Sequence, residues 1–172
     1  MIHYNLKKVS AVVFDVDGVL SKSTISMGKD GEPLRTVNIK DGYAIQLAQK
    51  MGLRNAIITG GYSEAVHERY TRLGVQDIYM GCAVKLREWE DFLMKYNLAN
   101  DEVIYVGDDI PDYEVMQHAG CPCCPVDACS DIKELALYVS QYKGGEGCAR
   151  DIIEQVLRAK GLWMSSKKAF GW

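Results

Sequence analysis

Apolar residues fall along this chain in two alternating rhythms. Short unbroken runs, at positions 11–14, 55–59, 78–80, 103–106 and 121–124, read as buried strands. Between them apolar residues recur every third or fourth position, which predicts helices over 42–51, 63–73, 84–96, 111–118, 131–138 and 149–160. The first of these carries Ala44, Leu47, Ala48 and Met51 on one face, with Asp41 placed to cap it and Gly52 to end it. Two extended arms, 22–27 and 34–39, flank Gly28-Lys29-Asp30-Gly31 and predict a β-hairpin after the first strand. Strands and helices alternating at these lengths pair in parallel through right-handed crossovers. The expected fold class is therefore α/β, a doubly wound parallel sheet of Rossmann-like type. No repeat or linker interrupts the core, taken as 1–162, and 163–172 is expected to be an extended tail. Its aromatic residues favour burial, against a neighbouring subunit among other surfaces.

Composition narrows the function classes. The chain has 172 residues, 48% hydrophobic and 25% charged, enough for one sizeable core. A net charge of -3 with dispersed cations leaves no basic stripe, which argues against nucleic acid. No apolar run approaches the ~20 residues that span a bilayer, and the polar opening at 1–8 is no signal peptide, so no membrane partner and a cytoplasmic location are expected. Of six cysteines, Cys121, Cys123, Cys124 and Cys129 cluster, but adjacent Cys123 and Cys124 on a strand point to opposite faces. They read as reduced thiols with no assigned role.

In such a sheet ligands bind outside the carboxyl ends of the strands, and those ends carry an unusual set. The first run ends in Asp15-Val-Asp17-Gly18, two acids separated by one residue. The second ends in Thr59-Gly60-Gly61; Lys85 lies just past the third; the fourth delivers Gly107-Asp108-Asp109, with Asp112 three residues on. Taken singly, these are a surface turn, a helix cap, a solvated lysine and acids at a helix start. A calcium loop is disfavoured by the apolar residues upstream and the lack of a closing Glu.

Together they suit phosphoryl transfer. Asp15 is the expected nucleophile and Asp17 the group that protonates the leaving alkoxide and then deprotonates water. Asp15, Asp108 and the carbonyl of Asp17 would hold Mg2+. Thr59, the N–H groups near Gly60, and Lys85 would hold and neutralise the phosphoryl oxygens. Asp109 and Asp112 are assigned supporting roles.

The segments Phe14–Leu20, Ile58-Thr-Gly60, Lys85 and Gly107–Asp112 resemble, in order, the four motifs of the haloacid dehalogenase superfamily of phosphatases. The hairpin, Thr36–Gly42 and Gly144–Arg150 are similar to its small phosphatases acting on 3-deoxy-D-manno-octulosonate 8-phosphate. That resemblance implies a magnesium-dependent homotetramer serving lipopolysaccharide precursor synthesis, with hairpins and C-terminal tails reaching neighbouring sites. The short spacings independently leave no room for a cap domain.

Many relatives of this kind carry arginine where Gly61 stands, so the cation for the substrate carboxylate is expected to be Arg69. A similar branch acts on 2-keto-3-deoxynononate 9-phosphate and tends to have glutamate there. Its absence favours the eight-carbon substrate. The rival outside enzymes is a phospho-acceptor receiver domain, disfavoured by Asp17 and by the Asp108-Asp109 pair.

Overall fold

In the computed structural model, which describes residues 1–29 and 31–171, the apolar runs assemble into one six-stranded parallel sheet. Its strands are β1 (Ala11–Phe14), β4 (Arg54–Ile58), β5 (Asp77–Tyr79), β6 (Val103–Val106), β7 (Cys121–Cys124) and β8 (Tyr138–Val139), in the order β5-β4-β1-β6-β7-β8. Strands β2 (Ser26–Met27) and β3 (Pro33–Leu34) form the separate antiparallel hairpin. The chain leaves β1 toward β4 and leaves β6 toward β7, so strand order reverses between β1 and β6. A crevice opens beyond their carboxyl ends.

The helices are α1 (Ile39–Lys50), α2 (Glu64–Arg72), α3 (Lys85–Tyr96), α4 (Tyr113–His118), α5 (Ser130–Leu135) and α6 (Cys148–Ala159). Alternation along β1 divides the core between the two faces of the sheet. Val12 and Phe14 pack with α1 and α6, whereas Ala11 and Val13 face Trp89 and Phe92 of α3. The same alternation sends Cys121 and Cys123 to one face and Cys124 to the other, and all six cysteines are free.

Four expectations are corrected. Asp41 does not cap α1. Asn38 does, accepting from the Lys40 and Asp41 N–H groups, while buried Asp41 accepts the Arg150 N–H at 2.6 Å and so caps the start of α6. The hairpin pairs over two residues per strand, because its base is held by side chains instead: Thr36 N–H donates to Ser21 Oγ and Lys22 N–H to Thr36 Oγ1. Asp30, in its expected turn, lies outside the described residues. The helix expected over 131–138 stops at Leu135, since Tyr138 and Val139 add a sixth strand and Leu137 N–H bonds to the Pro122 carbonyl. The tail is not extended: Ser166 caps a short turn at Lys167–Phe170, and the segment folds onto α1 of its own chain. There Tyr43 donates to the Ala169 carbonyl, Lys50 Nζ to that of Gly171, and Trp163 meets Tyr43 edge-on; Trp172 lies outside the described residues.

Candidate active site

β1 is paired on both sides, to β4 and β6, and the ladder runs one residue further, with Asp15 N–H bonded to the Val106 carbonyl at 3.0 Å. The central strands thereby fix the Asp15 backbone. After it the chain makes one wide turn, closed by Ser21 N–H on the Val16 carbonyl at 2.8 Å. Gly18 sits in this turn at φ +82°, in the left-handed region. A Cβ there would lie 1.9 Å from Asp108 Oδ2, so the missing side chain is what lets Asp108 approach. The late glycine-rich segment braces the turn: Gly145 N–H and the Cys148 thiol both bond to the Val19 carbonyl.

A cavity of about 650 Å³ occupies the crevice, and Asp15, Asp17, Thr59, Lys85, Asp108 and Asp112 all line it. Gly60, Gly61 and Asp109 lie on its wall as well. Lys85, the first residue of α3, is buried with its Nζ 2.9 Å from Asp15 Oδ2 and 2.7 Å from Asp112 Oδ1. Asp112 is saturated from the other side, its Oδ1 accepting from the Tyr105 hydroxyl at 2.7 Å and its Oδ2 from Asp108 N–H at 3.0 Å. It therefore holds Lys85 against Asp15 and pins the loop that carries Asp108. Thr59 is buried, and its Oγ1 accepts the Gly61 N–H at 3.3 Å. Asp109 is exposed at the mouth, and its carbonyl closes the turn by accepting Asp112 N–H.

Carboxylate oxygens of Asp15, Asp108 and Asp112 lie within 4.8 Å of one another. Burial, then the neighbouring charge of Asp112, pushes Asp15 up to about 7; burial, then Asp112 and Asp15, pushes Asp108 up to about 8. Lys85 resists in the opposite sense: burial works against its charge, but Asp15 and Asp112 outweigh burial and raise its pKa. One ammonium, paired with buried Asp15 and Asp112, stands against three carboxylates with half-buried Asp108 included, so full ionisation of the cluster calls for two more positive charges, which matches a divalent cation. The donors are hard oxygens, as magnesium prefers.

Two of the expected site residues stand apart from the acidic cluster. The Asp17 carboxylate, expected as acid and base while its carbonyl serves the metal, is held by the Arg35 guanidinium, Nε to Oδ1 at 2.7 Å and Nη2 to Oδ2 at 2.8 Å. Arg69 does not line the cavity, because its guanidinium lies against Gly42 of α1. Arg35 and Tyr105 went unnoticed in the sequence. Tyr105 left a trace as the one polar-tipped residue of a buried strand, Val-Ile-Tyr-Val. Arg35 left none, since a cation on a hairpin arm reads as solvated.

No protein-family model matches the chain. Among curated proteins it is 37% identical over 155 residues to the 3-deoxy-D-manno-octulosonate 8-phosphate phosphatase KdsC of Escherichia coli K12, covering 90% of this chain and 82% of that one. The crystal structure of the corresponding phosphatase from Yersinia pestis is 32% identical, with a TM-score of 0.88 and coverage of 92% and 85%. That of the Moraxella catarrhalis phosphatase, in complex with magnesium, phosphate and KDO, is 29% identical, with a TM-score of 0.87 over 91% and 90%. With its strand-end acids and cap-less sheet, this chain belongs to the KdsC family of 3-deoxy-D-manno-octulosonate 8-phosphate phosphatases within the haloacid dehalogenase superfamily.

Proposed function

We propose that the chain hydrolyses 3-deoxy-D-manno-octulosonate 8-phosphate to the free sugar acid and phosphate through an aspartyl-phosphate at Asp15. The observation that carries this reading is the convergence of Asp15, Thr59, Lys85 and Asp108 on one cavity. Asp15 Oδ2, freed from Lys85 by the incoming phosphoryl group, attacks phosphorus as the bond to the sugar O8 breaks. Asp17 gives its proton to that oxygen, then takes one from the water that attacks the Asp15 phosphoryl group and releases phosphate. Lys85, Thr59 Oγ1 and the N–H groups at Gly60 and Gly61 bind the transferring oxygens. Asp15 and Asp108, with the Asp17 carbonyl, would hold Mg2+, which when bound neutralises the phosphoryl charge. Asp112 supports by placing Lys85, and Asp109 by shaping the mouth.

The chain acts as a homotetramer in the cytoplasm, in this proposal. Met27, Leu34, Val37 and Ile39 are each at least half exposed along the hairpin and its exit, an apolar surface that a second copy would cover. The tail lies on its own α1, which supports a packing role there, and Phe170 stays exposed on it for a neighbouring copy to meet. Six unpaired thiols fit a reducing compartment.

The test is turnover of the eight- and nine-carbon 2-keto-acid phosphates with and without magnesium, followed by mass spectrometry of the acid-quenched protein. A phosphoryl adduct on Asp15 and preference for the eight-carbon ester are expected. Absence of magnesium-dependent phosphate release from either ester refutes the reading.

A further inference from the structure

Outside the acidic cluster, the most unusual charge in the molecule is Arg35. It stands just past β3 on the hairpin, yet its side chain is only 9% exposed. Desolvating a guanidinium is costly unless it is paired, and among the described residues the ion pair of Arg35 is with Asp17. Both Nε and Nη2 engage Asp17, whereas Nη1 is buried with no hydrogen-bond partner among the described residues.

The opposite wall is shaped to receive it. A Cβ on Gly61 would lie 2.5 Å from Arg35 Nη2 and 3.3 Å from both Cζ and Asp17 Oδ2. Arg35 can reach Asp17 in this arrangement because residue 61 has no side chain. The hairpin is delivered with a fixed base, since Ser21, directly after the Asp17 turn, is tied to Thr36, directly after Arg35.

We infer that Arg35 is a positioning residue: it sets the plane and place of the Asp17 carboxyl group over the leaving-group oxygen, and position 61 is glycine to accommodate it. This rests on the proposed role of Asp17 as acid and base. A two-point fork fixes a carboxyl plane in a way that a point charge does not. Each carboxylate oxygen keeps a further lone pair after the fork is made, so Asp17 stays available to the substrate.

The test compares Arg35→Met, Arg35→Lys, Gly61→Ala and the Arg35→Met/Gly61→Ala double variant on two substrates. One is the eight-carbon sugar-acid phosphate; the other is 4-nitrophenyl phosphate, whose leaving group needs little protonation. Arg35→Met is expected to lower kcat on the sugar phosphate about tenfold or more, with KM nearly unchanged and a clearly smaller loss on the aryl ester. Arg35→Lys restores the charge without the fork and falls between. Gly61→Ala reproduces much of the loss and adds nothing in the Arg35→Met background, because both act through one contact. Additive losses, equal losses on the two esters, or unchanged kcat in Arg35→Met overturn the inference. A wild-type chain that releases no phosphate from the sugar ester instead refutes the function it rests on. Urea unfolding of each variant separates lost folding from lost positioning.

Discussion

Asp15 and Asp17 are two residues apart and held by unlike means. Asp15 is anchored by the middle of the sheet, its backbone in the β1–β6 ladder and its carboxylate on Lys85, which Asp112 and Tyr105 hold in turn. Asp17 is anchored by a hairpin whose strands pair over two residues each. The proposed nucleophile is thus built onto a strand paired on both sides at the middle of the sheet. The proposed acid and base is held at the rim, by an element with little core of its own. Burial follows this division: the Asp15 side chain is 10% exposed and that of Asp17 is 35% exposed.

The sharpest way to break the contrast is to remove each carboxylate. Asp15→Asn is expected to reduce turnover below detection and to leave no phosphoryl adduct by mass spectrometry. Asp17→Asn is expected to lose about 10²–10⁴-fold on the sugar phosphate and less on an aryl ester, with adduct formation retained on the latter. Equal behaviour of the two variants would dissolve the distinction.

Stability should separate the two anchors next. Lys85→Met leaves buried Asp15 and Asp112 facing each other and is expected to cost about 3–5 kcal/mol in urea unfolding without magnesium. Arg35→Met leaves Asp17 able to reach water, with an expected cost of about 1 kcal/mol.

The pH dependence sharpens it further. Asp15 and Asp108, pushed up to about 7 and about 8, sit above the ordinary carboxylate value in the folded chain. Their contribution to stability is present in full below the unfolded value, about 4, and is lost progressively as pH rises from there to the folded values of about 7 and about 8. Without magnesium the melting temperature is expected to fall across that interval, and Asp108→Asn is expected to flatten the fall. Added magnesium should restore stability on the alkaline side, where the ligands are deprotonated. The smallest effect is expected from deleting 169–172. This uncovers Tyr43 and part of α1 and is expected to lower the melting temperature by a few degrees, with modest changes in kcat or KM.

How much of this could be read from the residues follows a physical division. The parallel sheet was readable because buried strands must be uninterrupted apolar runs, and the cavity-lining acids because they sit at the ends of those runs. Tyr138 and Val139 were missed as a strand because two residues carry no period. Asp41 was misassigned because its position before a helical run is the same whether it caps that helix or one a hundred residues later. Arg35 was missed because linear spacing does not tell which surface cation will be folded back over a glycine.

The bond from Asp41 to Arg150 N–H has a bearing on synthesis as well as on stability. The first helix presents an acid whose partner is translated more than a hundred residues later, and α1 and α6 pack on the same side of β1. A nascent chain stalled before Cys148 would hold that acid and the apolar face of α1 without their cover. Such a stalled chain is expected to remain open to protease at α1, and to close once α6 has left the ribosome.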